Sequence, residues 1–280
     1  MALRLGARRG WTDFLQSLRS AQDQAFYVIT GLLVVGYLYL RRDDRFQAGS
    51  DLLVPTVSLP GILAGLLAFG VVIGPAYQLA MDREDGTLLR YKAVPNGLRG
   101  YFSGQLTLHS LVVVPQFLII LVPSFIVFED LMHGGASGWF TFVWVLVLGL
   151  FATLPVGMLI GAAVPNIQKV GTWGMFPIMG LAAISGIFFP VQALWGWLQV
   201  VAQVFPMYWI GLGMRSAFLP DGEAANEIAG SWRHLETALV LGIWGVVGAV
   251  LTPIVFRRMA RRQSGSTVAE AREASMQWVK

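Results

Sequence analysis

Charged residues fall in clusters along the chain, and the uncharged intervals between them have the lengths of membrane crossings. There are 17 uncharged residues between Asp23 and Arg41, 30 between Asp51 and Asp82, 29 between Arg99 and Glu129, and 20 between Glu236 and Arg257. A helix rises 1.5 Å per residue, so about 20 mostly apolar residues cross a hydrocarbon core of about 30 Å. The first interval reaches that length when Arg41 and Arg42 bend toward the headgroups. The 38 residues between Asp130 and Lys169 hold one crossing and an approach to it. The 45 between Lys169 and Arg215 hold a fifth crossing over 170–188 and a shorter feature after it. A further full crossing there would put Asp221, Glu223 and Glu227 on the side of Lys169 and the basic run 257–262 on the other. The pattern predicts an all-α integral membrane protein with six transmembrane helices.

Three further elements follow from residue spacing. In residues 10–25, Trp11, Phe14, Leu15, Leu18, Ala21 and Ala25 share one helical face, and Asp13, Gln16, Arg19 and Asp23 fall away from it. That predicts an amphipathic helix lying in the membrane interface before the first span. Residues 189–219 are broken at Gly196 and Pro206, which predicts two short helices that enter the membrane and return. Pro190, Trp195, Trp197, Tyr208 and Trp209 suit interfacial depth there, Arg215 lies near the end, and backbone freed at the breaks must be covered by protein or water. Residues 82–99 begin with Asp82, Arg83, Glu84 and Asp85 and continue to Arg90 and Lys92. They predict a short helix outside the bilayer, with Gly86 turning the chain, Thr87 capping the start, and Glu84 and Asp85 complementing the helix dipole. Gly61/Gly65, Gly70/Gly74 and Gly157/Gly161 are small-residue pairs that let helices approach closely. The short turn 165–169 predicts a tight antiparallel pairing of the fourth and fifth spans.

Composition agrees with this reading. The 280 residues are 55% apolar and 13% charged, with mean hydropathy +0.62, whereas a soluble domain is about 25% charged. The net charge of +4 does not indicate a nucleic-acid partner, because the basic residues cluster at the ends of the apolar intervals. Fifteen of the 20 lie on one side: the N-terminal segment, residues 82–99, Lys169 and the tail 257–280. The positive-inside rule places that side, with both termini, in the cytoplasm. Arg257, Arg258, Arg261 and Arg262 then meet anionic lipid headgroups.

Candidate chemistry is sparse. With no cysteine, there is no thiolate nucleophile and no cysteine metal site. Asp43 and Asp44 are adjacent and allow two readings, a divalent-cation site or a loop neutralised by Arg41, Arg42 and Arg45. His109 is the one residue in a span that titrates near neutrality, and no Asp or Glu falls inside a span to complete a proton relay. A structural hydrogen bond is expected for it, and coupling to an ion gradient is disfavoured. No Gly-Lys dipeptide occurs, so the chain lacks the P-loop that cradles nucleotide phosphates.

The run E-D-G-T-L-L-R-Y-K-A-V-P at 84–95 follows the second span, and S-G-I-F-F-P…P-x-x-W…R-S-A-F-L at 185–219 follows the fifth. With six spans and the leading interfacial helix, this arrangement resembles the permease subunits of type-2 ATP-binding cassette exporters, a group that includes drug-resistance, O-antigen and teichoic acid permeases. The resemblance implies that residues 82–99 form the coupling helix seated on a separate ATP-binding cassette ATPase subunit. Glu84, Asp85, Gly86, Thr87, Arg90 and Tyr91 would then be its contact surface. It implies that ATP and Mg belong to that subunit, with no cofactor in this chain, and that a second permease, identical or related, completes the pathway. The second and fifth spans would line it, with Tyr77, Phe176, Phe188 and Phe189 as lining candidates. The expected function is export of an amphipathic drug, lipid or lipid-linked glycan across the plasma membrane, without catalysis by this chain. Two alternatives remain open: a stand-alone carrier or channel, and a membrane-embedded transferase working through Asp43 and Asp44.

Overall fold

The computed structural model describes residues 1–46, 52–187 and 191–262. In order they form α1 (Ala2–Ser17), α2 (Ala21–Leu40), α3 (Val54–Glu84), α4 (Thr87–Lys92), α5 (Gly97–Val127), α6 (Gly135–Ala163) and α7 (Ile167–Lys169). A π-helical segment, Val170–Gly174, leads into α8 (Met175–Ile184), followed by α9 (Gly196–Val204), α10 (Pro206–Phe218) and α11 (His234–Arg262). Short 3-10 turns lie at Val191–Ala193 and Asp221–Asn226. The regular elements among the described residues are all helices, beside one antiparallel bridge between Arg45 and Leu53.

Among the described residues, five helices are long and apolar enough to cross a membrane: Ala21–Leu40, Val54–Glu84, Gly97–Val127, Gly135–Ala163 and His234–Met259. The fifth expected crossing, over 170–188, takes a different form. It is a continuous but shorter helical run over 167–184 that contains the π segment, and Phe188, Phe189 and Pro190 lie outside the described residues. The fourth and fifth helices are not the tight antiparallel pair that their short connection predicts. The π segment touches α6, but α8 beyond it packs on α3, α9 and α10, because the wider π turn sets the helix on a new course.

Glycines set the helix contacts in the core. A Cβ on Gly157 would meet the Val72 carbonyl, and one on Gly161 would lie 2.7 Å from the Ala76 carbonyl, so α6 lies backbone to backbone on α3. Gly213 of α10 receives Val145 of α6, and Gly149 of α6 receives Leu67 of α3 and Ile210 of α10. Leu63, Leu67, Val145, Tyr208, Ile210 and Met214 are fully buried where these three helices meet. Of the expected Gly70/Gly74 pair, Gly74 makes room for the His109 ring of α5, and Gly70 faces open space.

The leading amphipathic helix is shifted from the expected 10–25 to Ala2–Ser17, because Ser20 starts a new helix by accepting a hydrogen bond from the Asp23 amide at 3.3 Å. Its buried line is Gly6, Gly10 and Phe14 rather than the apolar face seen in projection, and it runs along α5. Gly6 meets the Gly100 carbonyl, Gly10 meets the Gly104 carbonyl, and the Ser103 hydroxyl donates to the Leu3 carbonyl at 2.9 Å. Trp11 and Leu15 remain exposed.

The start of α1, the α3–α5 junction, the α6–α7 turn and the last turns of α11 share one end of the bundle, called here the basic end. The α2–α3 loop, the α5–α6 turn and residues 219–233 form the opposite end. The re-entrant pair enters from that opposite end. Phe205 at its tip lies beside Trp244, in the third turn of α11, at 5.9 Å between ring centroids, and α10 climbs back until a Cβ on Gly138 would touch the Ala217 carbonyl. Reporter fusions after Asp44, Gly134 and Asp221 should therefore all read the same side, and one after Pro95 the other. A reversed signal at Asp221 would remove the re-entrant path.

Candidate functional site

A cluster of polar contacts lies at the basic end, where α3 gives way to α4. Gly86 takes the left-handed conformation, with φ of 80°, that reverses the chain. Asp85, not Thr87, caps the new helix: its Oδ1 accepts the Thr87 amide at 2.7 Å. The Thr87 hydroxyl instead accepts Arg90 Nη2 at 3.0 Å. After α4, Asn96 at φ of 56° turns the chain directly into α5, and Gly97 lies against the Tyr91 carbonyl, where a side chain would not fit.

The acidic and basic residues of this segment do not all face outward, as their sequence suggests. α3 continues to Glu84, so Asp82 lies in its last turn. Asp82 is buried, because its carboxylate accepts the Tyr101 hydroxyl at 2.6 Å and Gln78 Nε2 at 3.0 Å. Arg83 Nη1 donates to the carbonyls of Gly161 at 3.0 Å and Val164 at 2.6 Å, at the end of α6. Glu84 Oε1 accepts the amide of Ile167 at 2.8 Å, at the start of α7. The contact face assigned from sequence thus divides. Asp85 and Arg90 are exposed, whereas Glu84 and Tyr91 are half-buried and hold neighbouring elements.

An aromatic column ties α4 to the helix ends around it. The Arg9 guanidinium of α1 lies 4.8 Å from the Tyr91 ring centroid. Tyr91 meets Tyr101 of α5 edge-on at 5.2 Å, and Tyr101 stacks on Phe256 of α11 at 5.5 Å. Leu79 and Leu88 complete this core. The outward face of the junction is Asp85, Arg90, Lys92, Val94, Pro95 and Arg99, with Val94 59% exposed.

The remaining sequence candidates are dispersed. The hydroxyl of Tyr77 on α3 lies over Gly171 in the π segment, where a Cβ would come within 2.5 Å of it. Phe176 projects from α8 and is 81% exposed. At the opposite end, α9 starts at Gly196 and α10 at Pro206, the two expected breaks. Trp195 and Trp197 are exposed and stacked at 6.3 Å, as interfacial residues should be. Tyr208 and Trp209 are instead buried within the protein. α10 is packed between α3, α6 and α11, and Trp209 Nε1 is satisfied by the Gln203 carbonyl at 2.7 Å. Arg215 pairs with Glu227 through Nε–Oε1 at 2.6 Å and Nη2–Oε2 at 3.1 Å, and its Nη1 reaches the Gly186 carbonyl at 2.9 Å.

In the first loop, Asp44 is paired with Arg41 at 2.8 Å and Asp43 with Arg42 at 3.3 Å. Each carboxylate thus has its own cation within the loop. His109 does not make the expected structural bond through Nε2, which is buried without a partner among the described residues. Arg83 and Glu84 are the site residues that sequence reasoning misplaced or passed over. The only available signal was their position in the last turn of a long apolar helix.

No curated protein matches the chain. A model of the ABC-2 type transporter family matches residues 2–219, from α1 through the end of α10. This region contains the glycine-docked leading helix, the junction built on α4 and the re-entrant pair, and the chain belongs to the ABC-2 type transporter family as the multi-pass permease subunit of an ABC transporter.

Proposed function

We propose that this chain is the transmembrane half of an ATP-driven exporter, and that a separate ABC ATPase subunit, carrying the ATP and Mg, seats on the outward face of α4. One observation carries the reading. α4 is a six-residue helix whose inner side, Leu88 and Tyr91, is locked to α1, α3, α5 and α11, while its outer side offers Asp85, Arg90, Lys92 and Val94. A push on such a helix is delivered to several membrane helices at once. The same surface has no evident use in a carrier working alone.

The clustering of basic residues supports a cytoplasmic position for this end and for both termini in the plasma membrane. A second permease, identical or related, completes the pathway, with α3 and α8 turned toward it. Trp173, Phe176 and Met179 form an exposed apolar face on the π segment and α8 that suits such a partner. An amphipathic drug, lipid or lipid-linked glycan fits an aromatic, apolar route.

The test is the double substitution Arg90→Glu with Lys92→Glu. The variant should fold and insert normally, since both side chains are exposed, yet retain about tenfold less ATPase subunit on gentle purification, a loss of about 1.4 kcal/mol. Undiminished recovery of the ATPase would refute docking at α4.

A further inference from the structure

We propose that Arg83 and Glu84 are positioning residues that pass movement of α4 to the fifth membrane helix, with the π segment Val170–Gly174 as the hinge. The proposal rests on the coupling reading of α4 given above. Neighbouring side chains in the last turn of α3 hold both sides of the α6–α7 turn. Arg83 takes two carbonyls at the end of α6, and Glu84 takes the first amide of the following helical run. Carbonyls at a helix end and amides at a helix start are the groups that lack partners within the helix. A cation belongs at the first position and an anion at the second. Each residue therefore sits where its charge is complementary, and exchanging them would be wrong at both.

The mechanical consequence follows from how the elements join. Glu84 ends α3, only Asp85 and Gly86 separate it from α4, and Ile167 begins the 167–184 run. Displacement of α4 therefore shifts the start of the fifth helix through one short hydrogen bond instead of through a long loop. Three residues later the helix is π-wound. Such segments are rare, and their wide turn accommodates an extra residue that an α-helix excludes. α3 meets the hinge a second time through Tyr77, whose hydroxyl lies over Gly171. The start of the fifth helix is thus held by α3 at two levels, while α8 beyond the hinge takes its direction from its contacts with α3, α9 and α10.

The chain has no cysteine, so introduced pairs are the only thiols it offers to a spin label. In the complex purified with its ATPase subunit, labels at Ala93→Cys and Val147→Cys read α4 against α6, and labels at Thr172→Cys and Val147→Cys read the hinge. All three positions are exposed. Addition of ATP and Mg should shift both distances. Glu84→Ala should leave the α4 shift in place and reduce the hinge shift at least threefold, and Glu84→Gln, which keeps an acceptor for the Ile167 amide, should restore it. Gly171→Ala, which drives a methyl group against Tyr77, should also block the hinge shift while α4 still moves. A full hinge shift in Glu84→Ala or Gly171→Ala, or failure of Glu84→Gln to restore it, would overturn the proposal and leave the coupling reading standing. Absence of any ATP-dependent shift at α4 would overturn both.

Discussion

Glu227→Ala should lower the stability of the folded chain by about 3–5 kcal/mol, the cost of leaving a buried charge without its partner. The side chains of Arg215 and Glu227 are only 12% and 9% exposed, and two parallel N–H···O contacts join them. The alanine variant leaves the Arg215 guanidinium in the same enclosed site with one neutral acceptor, the Gly186 carbonyl. Glu227→Gln, which keeps an acceptor, should cost less. Replacing both partners, as Arg215→Met with Glu227→Leu, should cost less than the two single changes summed, because no charge is then stranded. Thermal unfolding of the purified chain in detergent would measure these variants and the two single changes. A loss below about 1 kcal/mol in Glu227→Ala would mean that the pair behaves as a solvated surface bridge. The pair also joins α10 to the turn after α8 and to the 219–233 segment, so the variant should loosen the re-entrant pair first.

Gly104→Leu should release α1. Gly104 faces the Gly6 carbonyl at 3.1 Å from a hypothetical Cβ, and Gly10 in turn meets the Gly104 carbonyl. The contact is backbone on backbone, with no flexible side chain to yield. Forcing a larger residue into such a contact costs about 1–3 kcal/mol when the structure must absorb it. α1 has a cheaper course, because it already exposes Trp11 and Leu15 and can lie on the bilayer as an ordinary interfacial helix. The expected result is a folded bundle with a detached leading helix. A Phe14→Cys reporter, buried against α5 in the parent, should become reactive toward a water-soluble maleimide at a rate raised about tenfold or more. An unchanged rate would show that α1 is held by other contacts. Detachment also removes the Arg9 contact from Tyr91, so α4 should become more mobile in the same variant.

Much of the architecture was legible because charge is nearly forbidden in a bilayer. Asp82 falls in the last turn of α3, Arg99 in the first turn of α5 with Glu129 just beyond its end, and Glu236 and Arg257 in the first and penultimate turns of α11, so these elements emerged with little ambiguity. Gly196 and Pro206 marked the breaks of the re-entrant pair for equally local reasons. Glycine docking of α1 was not legible, since a projection of apolar side chains gives no weight to a residue that acts by having none. The inward turn of Asp82, Arg83 and Glu84 was hidden for a related reason. A cluster of charges at the end of a span reads as solvated, and only the three-dimensional return of α6 supplies the carbonyls and the amide that satisfy it. Tyr208 and Trp209 went to the interface in the sequence reading because aromatic residues favour it. Their burial depends on α3, α6 and α11 converging, which no local pattern records. The π segment likewise has no signature in Val170–Gly174.

The re-entrant pair also places a condition on biogenesis. α3 and α6, which form one wall of the site for α10, are synthesised before it, but its closing contacts come from later residues. Arg233 Nη1 donates to Gln203 Oε1 at 2.7 Å and lies over the Trp209 ring, and Trp244 Nε1 of α11 donates to the Val204 carbonyl at 2.8 Å. Until α11 leaves the translocon, the tip of the pair presents uncovered backbone to hydrocarbon, where an unpaired carbonyl is costly. The re-entrant pair therefore settles only when α11 has been delivered, which makes its packing a record of the insertion of α11.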